Sequence, residues 1–222
     1  MNYQGKCPET MKTKPLFVPR NFFVKSSSTN QKDIFKNTIK EDRAIEQYFW
    51  TSSVVHKLLK ATEYQFSECC CFTTPSLAQA YHESGNNQAL LDIDTRFKYL
   101  PRFERFDIKN PHVPTGADTF EIIVIDPPFF GICTQDLLDA TNLITGKNYD
   151  TKIIIAYLVR HELTLLKTFE NYGISETSTP LEYAHIKPNK WRNFALYSNV
   201  DLPGVKRIPD KYNYKGKDLK QK

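Results

Sequence analysis

The residues with the clearest chemical purpose are Asp126, Pro127, Pro128 and Phe129, with Phe130 directly after them. They follow Phe120-Glu121-Ile122-Ile123-Val124-Ile125, whose four consecutive β-branched residues read as a central parallel strand covered on both faces. The turn therefore stands at the carboxyl end of a strand, where open α/β sheets hold their ligands. An exocyclic amine on adenine is a poor nucleophile because its lone pair is delocalised into the ring. Accepting hydrogen bonds from its two N–H groups draws the nitrogen toward tetrahedral geometry. Asp126 can accept one, and a carbonyl of Pro127 or Pro128 the other. Successive prolines fix φ and carry no N–H, so those carbonyls stay aimed. Phe129 offers a face for a flipped-out base, and Phe130 is a further substrate contact. What remains is in-line positioning of the nitrogen on a methyl donor. The same pocket suits a lysine amine, with the ring along its stem. The plainer reading is a proline turn that simply ends a strand.

The elements needed to position this turn follow from the pattern of apolar residues. A helical pattern begins near Glu41 with Ile45, Phe49, Val55, Leu58 and Leu59 on one side, and Thr51-Ser52-Ser53 offers a cap. Strands are expected over 68–73, 88–93, 103–108, 120–125 and 152–157. Helices are expected over 75–84, with proline near its start, 134–144 and 160–172. Residues 181–186 and 192–200 read as a terminal hairpin. This alternation predicts a doubly wound α/β sheet with an antiparallel edge.

A dinucleotide fold would place Gly-x-Gly-x-x-Gly after the first strand. Here the turn is Phe72-Thr73-Thr74-Pro75-Ser76, without glycine. That counts against NAD, FAD and ATP, whose phosphates need close backbone approach at a helix N-terminus. S-adenosylmethionine has no phosphate and is penalised far less. Thr74, Pro75 and Ser76 are candidate contacts for its carboxylate or ribose, with helix capping an equal alternative. Asp94, at the tip of the second strand, is the candidate acceptor for the ribose hydroxyls, with Asp92 as a polar neighbour. Asp107 is a candidate acceptor for the cofactor's adenine amine, and Asp126 borders the same site.

At 222 residues and 40% hydrophobic, the chain suits one globular domain with extensions. No apolar run is long enough to span a membrane, and the start is not a signal peptide. The cysteines form no Cys-x-x-Cys pair and the histidines no metal-ligand spacing, so no metal is expected. Reduced thiols imply a cytoplasmic chain, with a nuclear or nucleolar location open. The net charge of +5 is uneven: residues 1–40 carry 8 basic and 2 acidic side chains, and residues 205–222 carry 7 and 2. The intervening 41–204 is net acidic. The expected organisation is a basic N-terminal arm (1–40), a catalytic domain (41–204) and a basic tail (205–222). Basic ends can hold nucleic-acid phosphates, whereas an acidic body also suits a lysine-bearing partner.

Taken together, these residues resemble the probable N6-adenine methyltransferase family over roughly 47–209. Gln47-Tyr48-Phe49-Trp50, Thr74-Pro75-Ser76, Leu91-Asp92-Ile93-Asp94-Thr95-Arg96-Phe97, Phe106-Asp107-Ile108-Lys109-Asn110-Pro111 and Asp126-Pro127-Pro128-Phe129 carry the resemblance. It implies a class I, Rossmann-like methyltransferase fold: a seven-stranded, mostly parallel sheet with an antiparallel C-terminal hairpin. It also implies S-adenosylmethionine as methyl donor. Two branches of the family are relevant, one modifying a lysine of elongation factor 1A and one modifying adenosine in ribosomal RNA. Phe194-Ala195-Leu196-Tyr197-Ser198-Asn199 is closer to the RNA branch, and the short chain without zinc modules is closer to the other. The expected activity is methylation of adenine N6 in RNA. The rivals are a lysine methyltransferase acting on a translation factor and a non-catalytic binding subunit. An activating partner protein would also fit. Phe49, Trp50 and Trp191 (with Arg192) are candidate substrate-side residues, although aromatics so placed are more often core.

Overall fold

The computed structural model describes residues 33–35 and 38–208. Most of the basic arm, and all of the tail beyond 208, lie outside the described residues. Seven strands form one sheet: β1 (Cys69–Phe72), β2 (Ala89–Asp92), β3 (Phe103–Arg105), β4 (Ile122–Ile125), β5 (Lys152–Leu158), β6 (Ser175–Glu176) and β7 (Phe194–Ser198). Their order is β3-β2-β1-β4-β5-β7-β6. The pairings from β3 to β5 are parallel, whereas β7 runs antiparallel to both β5 and β6. This is the mostly parallel sheet with an antiparallel C-terminal edge that the resemblance implies.

Central strands buried on both faces need continuous apolar sequence, and β1 and β4 have it. All eight of their residues are 0% exposed. Each buried Ile or Val contributes about 1.5–3 kcal/mol, so the strand carrying Asp126 is firmly fixed. The register matters as much. Phe72 lies opposite both Leu91 of β2 and Ile125 of β4. The next residues, Thr73, Asp92 and Asp126, therefore emerge level with one another. The strand order reverses between β1 and β4, and that switch point opens a crevice at the carboxyl ends.

The helices are α1 (Ser52–Thr62), α2 (Pro75–Glu83), α3 (Thr134–Thr145), α4 (Glu162–Thr168) and the short α5 (Pro188–Trp191). The Thr51 hydroxyl caps α1 by accepting from the Val54 N–H, and Pro75 opens α2. Helix α1 packs on α2, and α3 on α4. The crossovers β1-α2-β2 and β4-α3-β5 run in opposite directions across the sheet, and the right-handed rule for such units puts their helices on opposite faces. Helix α3 starts with a reciprocal capping box between Cys133 and Asp136 and ends at Gly146 in the left-handed region, φ 59°. A methyl group on Gly146 would overlap the Asp118 carboxylate. Gly146→Ala should therefore lose about 1–3 kcal/mol of stability in urea unfolding, from left-handed strain plus displacement of Asp118.

Three expectations are corrected. The pattern from Glu41 gives only a 3-10 turn, Arg43–Ile45, closed by Glu46 in the left-handed conformation (φ 55°). The chain then runs extended into α1. The expected helix over 160–172 breaks into a 3-10 turn, α4 and a second 3-10 turn ending at Gly173, φ 64°. Residues 181–186 are not a strand of the sheet. They pair instead with the segment leading into α1: Thr51 N–H donates to the Glu182 carbonyl (3.0 Å), and Ala184 N–H to that of Phe49 (2.8 Å). The hairpin partner of β7 is the two-residue β6.

Candidate active site

Two adjoining clefts open at the switch point. The first, about 400 Å³, lies between Asp92-Ile93, Thr73, the Asp126-Pro127-Pro128-Phe129 turn and a covering segment, Ile45 to Tyr48. The second, about 760 Å³, runs on past Phe106, Asp107, Ile108 and Ile132. They share Ile45, Glu46, Thr73, Ile93 and Pro128 as walls. The larger chamber is lined mainly by apolar side chains with Asp107 at its edge, and the smaller brings the carboxyl groups of Glu46, Asp92 and Asp126 to its walls. Thr73 stands between them with φ 55°. A threonine in the left-handed region costs about 1–2 kcal/mol. Strain of this kind concentrates at ligand sites, and Thr73 takes the conformation that a glycine-rich turn would adopt freely.

Asp126 sits deep in the protein but keeps a face on the first cleft. Its Oδ1 accepts from the Tyr183 hydroxyl at 2.7 Å. Burial raises its carboxyl well above the usual carboxylate range, and the Tyr183 hydrogen bond opposes that rise. Asp92 also faces this cleft. Burial pushes its carboxyl up to about 7, against the backbone N–H groups of Asp94 and Ile93, which favour the charged form. Asp107 is the contrasting case. It accepts from the Lys109 N–H (2.9 Å) and the Asn110 amide (3.2 Å), and these bonds hold it below the usual range.

The structure places Pro127 and Pro128 in the cleft wall beside Asp126, and Asp107 at the second chamber. Asp94 is engaged elsewhere. Its carboxylate takes the Arg96 guanidinium, with Oδ2 to Nη2 at 2.6 Å, and the Gln47 amide at 3.0 Å. Arg96 in turn donates to the Gln47 Oε1 (2.9 Å) and the Lys40 carbonyl (3.0 Å). Asp94 therefore ties down the covering segment, and Asp92 is the acid left facing the ligand space. The same cover is held on its other side by Glu46, whose Oε2 accepts from the Phe130 N–H at 2.8 Å.

Thr74, Pro75 and Ser76 are buried beneath the turn and line neither cleft, and the Thr74 hydroxyl donates to the Val124 carbonyl at 3.3 Å. Phe49 and Trp50 belong to the core, 1% and 2% exposed, because pairing with the 181–186 segment turns them inward. Trp191 donates its indole N–H to the Tyr183 carbonyl (3.1 Å) and lines, with Arg192, a separate groove beside β6 and β7. Phe130 projects into solvent at the cleft rim with the Arg160 guanidinium 5.5 Å from its ring centre.

Phe129 is not an open stacking face. It borders the first cleft, but its ring packs against Tyr157, Tyr183 and Phe194 at centroid distances of 6.1, 6.3 and 5.3 Å. Phe129→Ala should thus leave a cavity and cost about 3–5 kcal/mol in denaturant unfolding, rather than act on the chemistry alone. Sequence reading missed Glu46, Gln47, Arg96 and Tyr183, which act through partners remote in the chain. The nearest signal was the apolar alternation of Leu181 and Tyr183, which reads as a strand.

The family model described as probable N6-adenine methyltransferase matches residues 41–202. The chain belongs to that family. It is a methyltransferase, and the match covers the whole sheet together with the covering segment. No curated protein matches this family member at significance. Two solved structures are similar to it. One, from Thermoplasma acidophilum, has 13% identity and a TM-score of 0.41 over 77% of this chain and 99% of its own. The other, a Haemophilus influenzae protein named as a candidate methylase, has 14% identity and a TM-score of 0.36 over 67% of this chain and 89% of its own. The fold of this methyltransferase is read from its strand order and not from these loose likenesses.

A methyltransferase needs a methyl donor, and the two chambers offer groups that a donor carrying a nucleoside would use. Asp92 is a buried acid whose described hydrogen bonds come from the backbone alone, which leaves acceptor capacity for ribose hydroxyls. Phe106, Ile108 and Ile132 offer apolar walls to a purine, with Asp107 at the edge as an acceptor. Among the described residues, no cluster of three His, Cys, Asp or Glu side chains is placed to hold a metal ion. No helix among them is long and apolar enough to cross a membrane. The Cys70 and Cys71 thiols in β1 are fully buried, and burial raises both well above the ordinary thiol range.

Proposed function

We propose that this chain transfers a methyl group from S-adenosylmethionine to an amino nitrogen, adenine N6 in RNA. One observation carries the reading: Asp126, tied through one oxygen to Tyr183 and open to the cleft, stands beside two prolines at the switch point. The cofactor supplies an electrophilic methyl on a sulfonium sulfur. Asp126 and a prolyl carbonyl accept the two N–H bonds of the incoming amine and hold its lone pair toward that methyl. The raised Asp126 carboxyl can also take the proton the amine sheds. Glu46 and Gln47 hold the cover over the cleft, which limits water around the reacting atoms. The basic chain ends, with 15 Lys and Arg between them, supply phosphate contacts.

A second reading, methylation of a protein lysine, is favoured by one feature. Glu46, Asp92 and Asp126 all line the first cleft, and no lysine or arginine among the described residues does. Such a cleft attracts a cationic side chain. Incubating the protein with tritiated S-adenosylmethionine and a cell lysate, then fractionating RNA, DNA and protein, separates the two. Label in RNA that RNase abolishes supports the first reading. RNase-resistant label in protein moves the assignment to lysine. Failure to bind S-adenosylmethionine in calorimetry would sink both and leave a binding subunit.

A further inference from the structure

Tyr183 lies outside the Asp126-Pro127-Pro128-Phe129 turn, outside the sheet, and on a segment whose own pairing is with residues 49–51. It is 0% exposed and donates its hydroxyl to Asp126 Oδ1 at 2.7 Å. A carboxylate rotates about its last bond unless something holds it, and a free Asp126 could present either oxygen or a proton to the cleft. With Oδ1 held by a phenol, which here can only donate usefully, the group is kept as an acceptor and its other oxygen is left for the amine. Tyr183 is itself held in three ways. Its carbonyl accepts from the Trp191 indole N–H, and its ring meets Phe194 and Phe129 edge-on, with centroids 4.9 and 6.3 Å away. The buried Trp50 indole N–H finds no hydrogen-bond partner of good geometry, yet it lies close enough to the Tyr183 hydroxyl to favour its charged form.

We propose that Tyr183 is the positioning residue of the reaction: it fixes one oxygen of Asp126 so that the other faces the substrate amine as an acceptor. The assignment rests on the amine-transfer reading above. Its consequence is a specific pH dependence. Burial drives the Asp126 carboxyl toward the neutral acid, which would offer the amine a proton where an acceptor is needed, and the Tyr183 bond works against that. The other titratable groups facing the same cleft are Glu46 and Tyr48 from the cover and Asp92 from the end of β2. A carboxylate has no proton to donate, so neither Asp92 nor Glu46 can replace the tyrosine in holding the Asp126 oxygen.

The test is a carboxyl titration on the full chain, labelled with carbon-13 at aspartate Cγ and assigned through Asp126→Asn. Tyr183→Phe removes one oxygen and keeps the ring. Its Asp126 midpoint should rise by one unit or more, and the acid limb of kcat/KM for methyl transfer to unmodified RNA transcripts should rise with it. On the acid limb each unit of rise means a loss of about tenfold, recovered to within about threefold on the alkaline plateau. Placing 3-fluorotyrosine at position 183 gives a stronger donor of nearly the same shape, and should lower the Asp126 midpoint. This arm stands even if Tyr183→Phe folds poorly. An Asp126 midpoint that moves in neither variant, or a rate loss equal at every pH, overturns the proposal and reduces Tyr183 to packing. If no RNA is methylated while the midpoints shift as expected, the positioning of Asp126 holds and the substrate reading fails.

Discussion

Replacing Asp126 with alanine should lower methyl transfer by about 10³-fold while leaving the melting temperature within a few degrees of the unmodified chain. The size follows from losing a positioned acceptor that also takes a proton, worth 10²–10⁴ in comparable sites. Stability changes little because two effects oppose. The alanine leaves the buried Tyr183 hydroxyl without its acceptor, a cost of about 1–3 kcal/mol. It also removes a carboxyl whose burial raises it well above the usual range. A carboxyl raised in the folded state keeps its proton when the unfolded chain has lost it. Stability from that source therefore falls as pH rises from the usual carboxylate range through the folded value, and is already lost at higher pH. Asp126→Asn is the informative control. An amide can donate to the Tyr183 oxygen and still present its carbonyl to the amine, but it cannot take the proton, so its loss should lie between about tenfold and that of alanine. Steady-state rates and thermal melts on both variants check this. Equal losses for alanine and asparagine would mean that the charge, rather than the acceptor geometry, is what matters.

The second large effect is expected at Asp92. Asp92→Asn should weaken S-adenosylmethionine binding by about 10–100-fold, the value of hydrogen bonds to a charged acceptor. It should also stabilise the unliganded protein above neutral pH. The carboxyl is pushed up to about 7 in the folded chain by burial, against about 3.9 unfolded. Between those values the folded state holds one more proton than the unfolded state, so stability falls across that window and stays low above it. An asparagine at the same place does not titrate, and about 2 kcal/mol should return at pH 8. Binding should show the opposite trend. Ribose hydroxyls donate to the ionised acid, so affinity for the cofactor should tighten from pH 6 to pH 8 in the unmodified chain and stay flat in Asp92→Asn. Calorimetry at three pH values, with urea unfolding alongside, reads both effects. Cofactor affinity unchanged by the substitution would return the ribose contact to another residue.

Much of this was legible because it is local. The Ile122 to Ile125 run could only be a doubly covered strand, and it carries Asp126 to the switch point. The Thr51 cap of α1 and the proline start of α2 at Pro75 were likewise written in neighbouring residues. What escaped was set by partners far along the chain. Residues 181–186 alternate like a strand, but their partner is the stretch before α1, and nothing in either segment names the other. Asp94 looked like the ribose acid because it is the outermost acid after β2. Arg96, two residues on, closes on it, and the Gln47 amide from the remote cover donates to it as well, which leaves the inner Asp92 for the ligand space. Phe129 illustrates the same limit. An aromatic after two prolines is visible in sequence, but the three rings that enclose it come from β5, β7 and the 181–186 segment. A glycine-free turn was visible too, whereas Thr73 taking up the left-handed conformation was not.

The central claim is that the Asp126 cleft methylates the exocyclic amine of adenine. It is tested most directly by incubating the chain with S-adenosylmethionine and unmodified RNA transcripts, digesting the RNA to nucleosides and separating them by mass. The account predicts N6-methyladenosine with the unmodified chain and about 10³-fold less with Asp126→Ala. Methyl-lysine in a parallel protein fraction with no modified adenosine, or N6-methyladenosine at undiminished rate with Asp126→Ala, would contradict it.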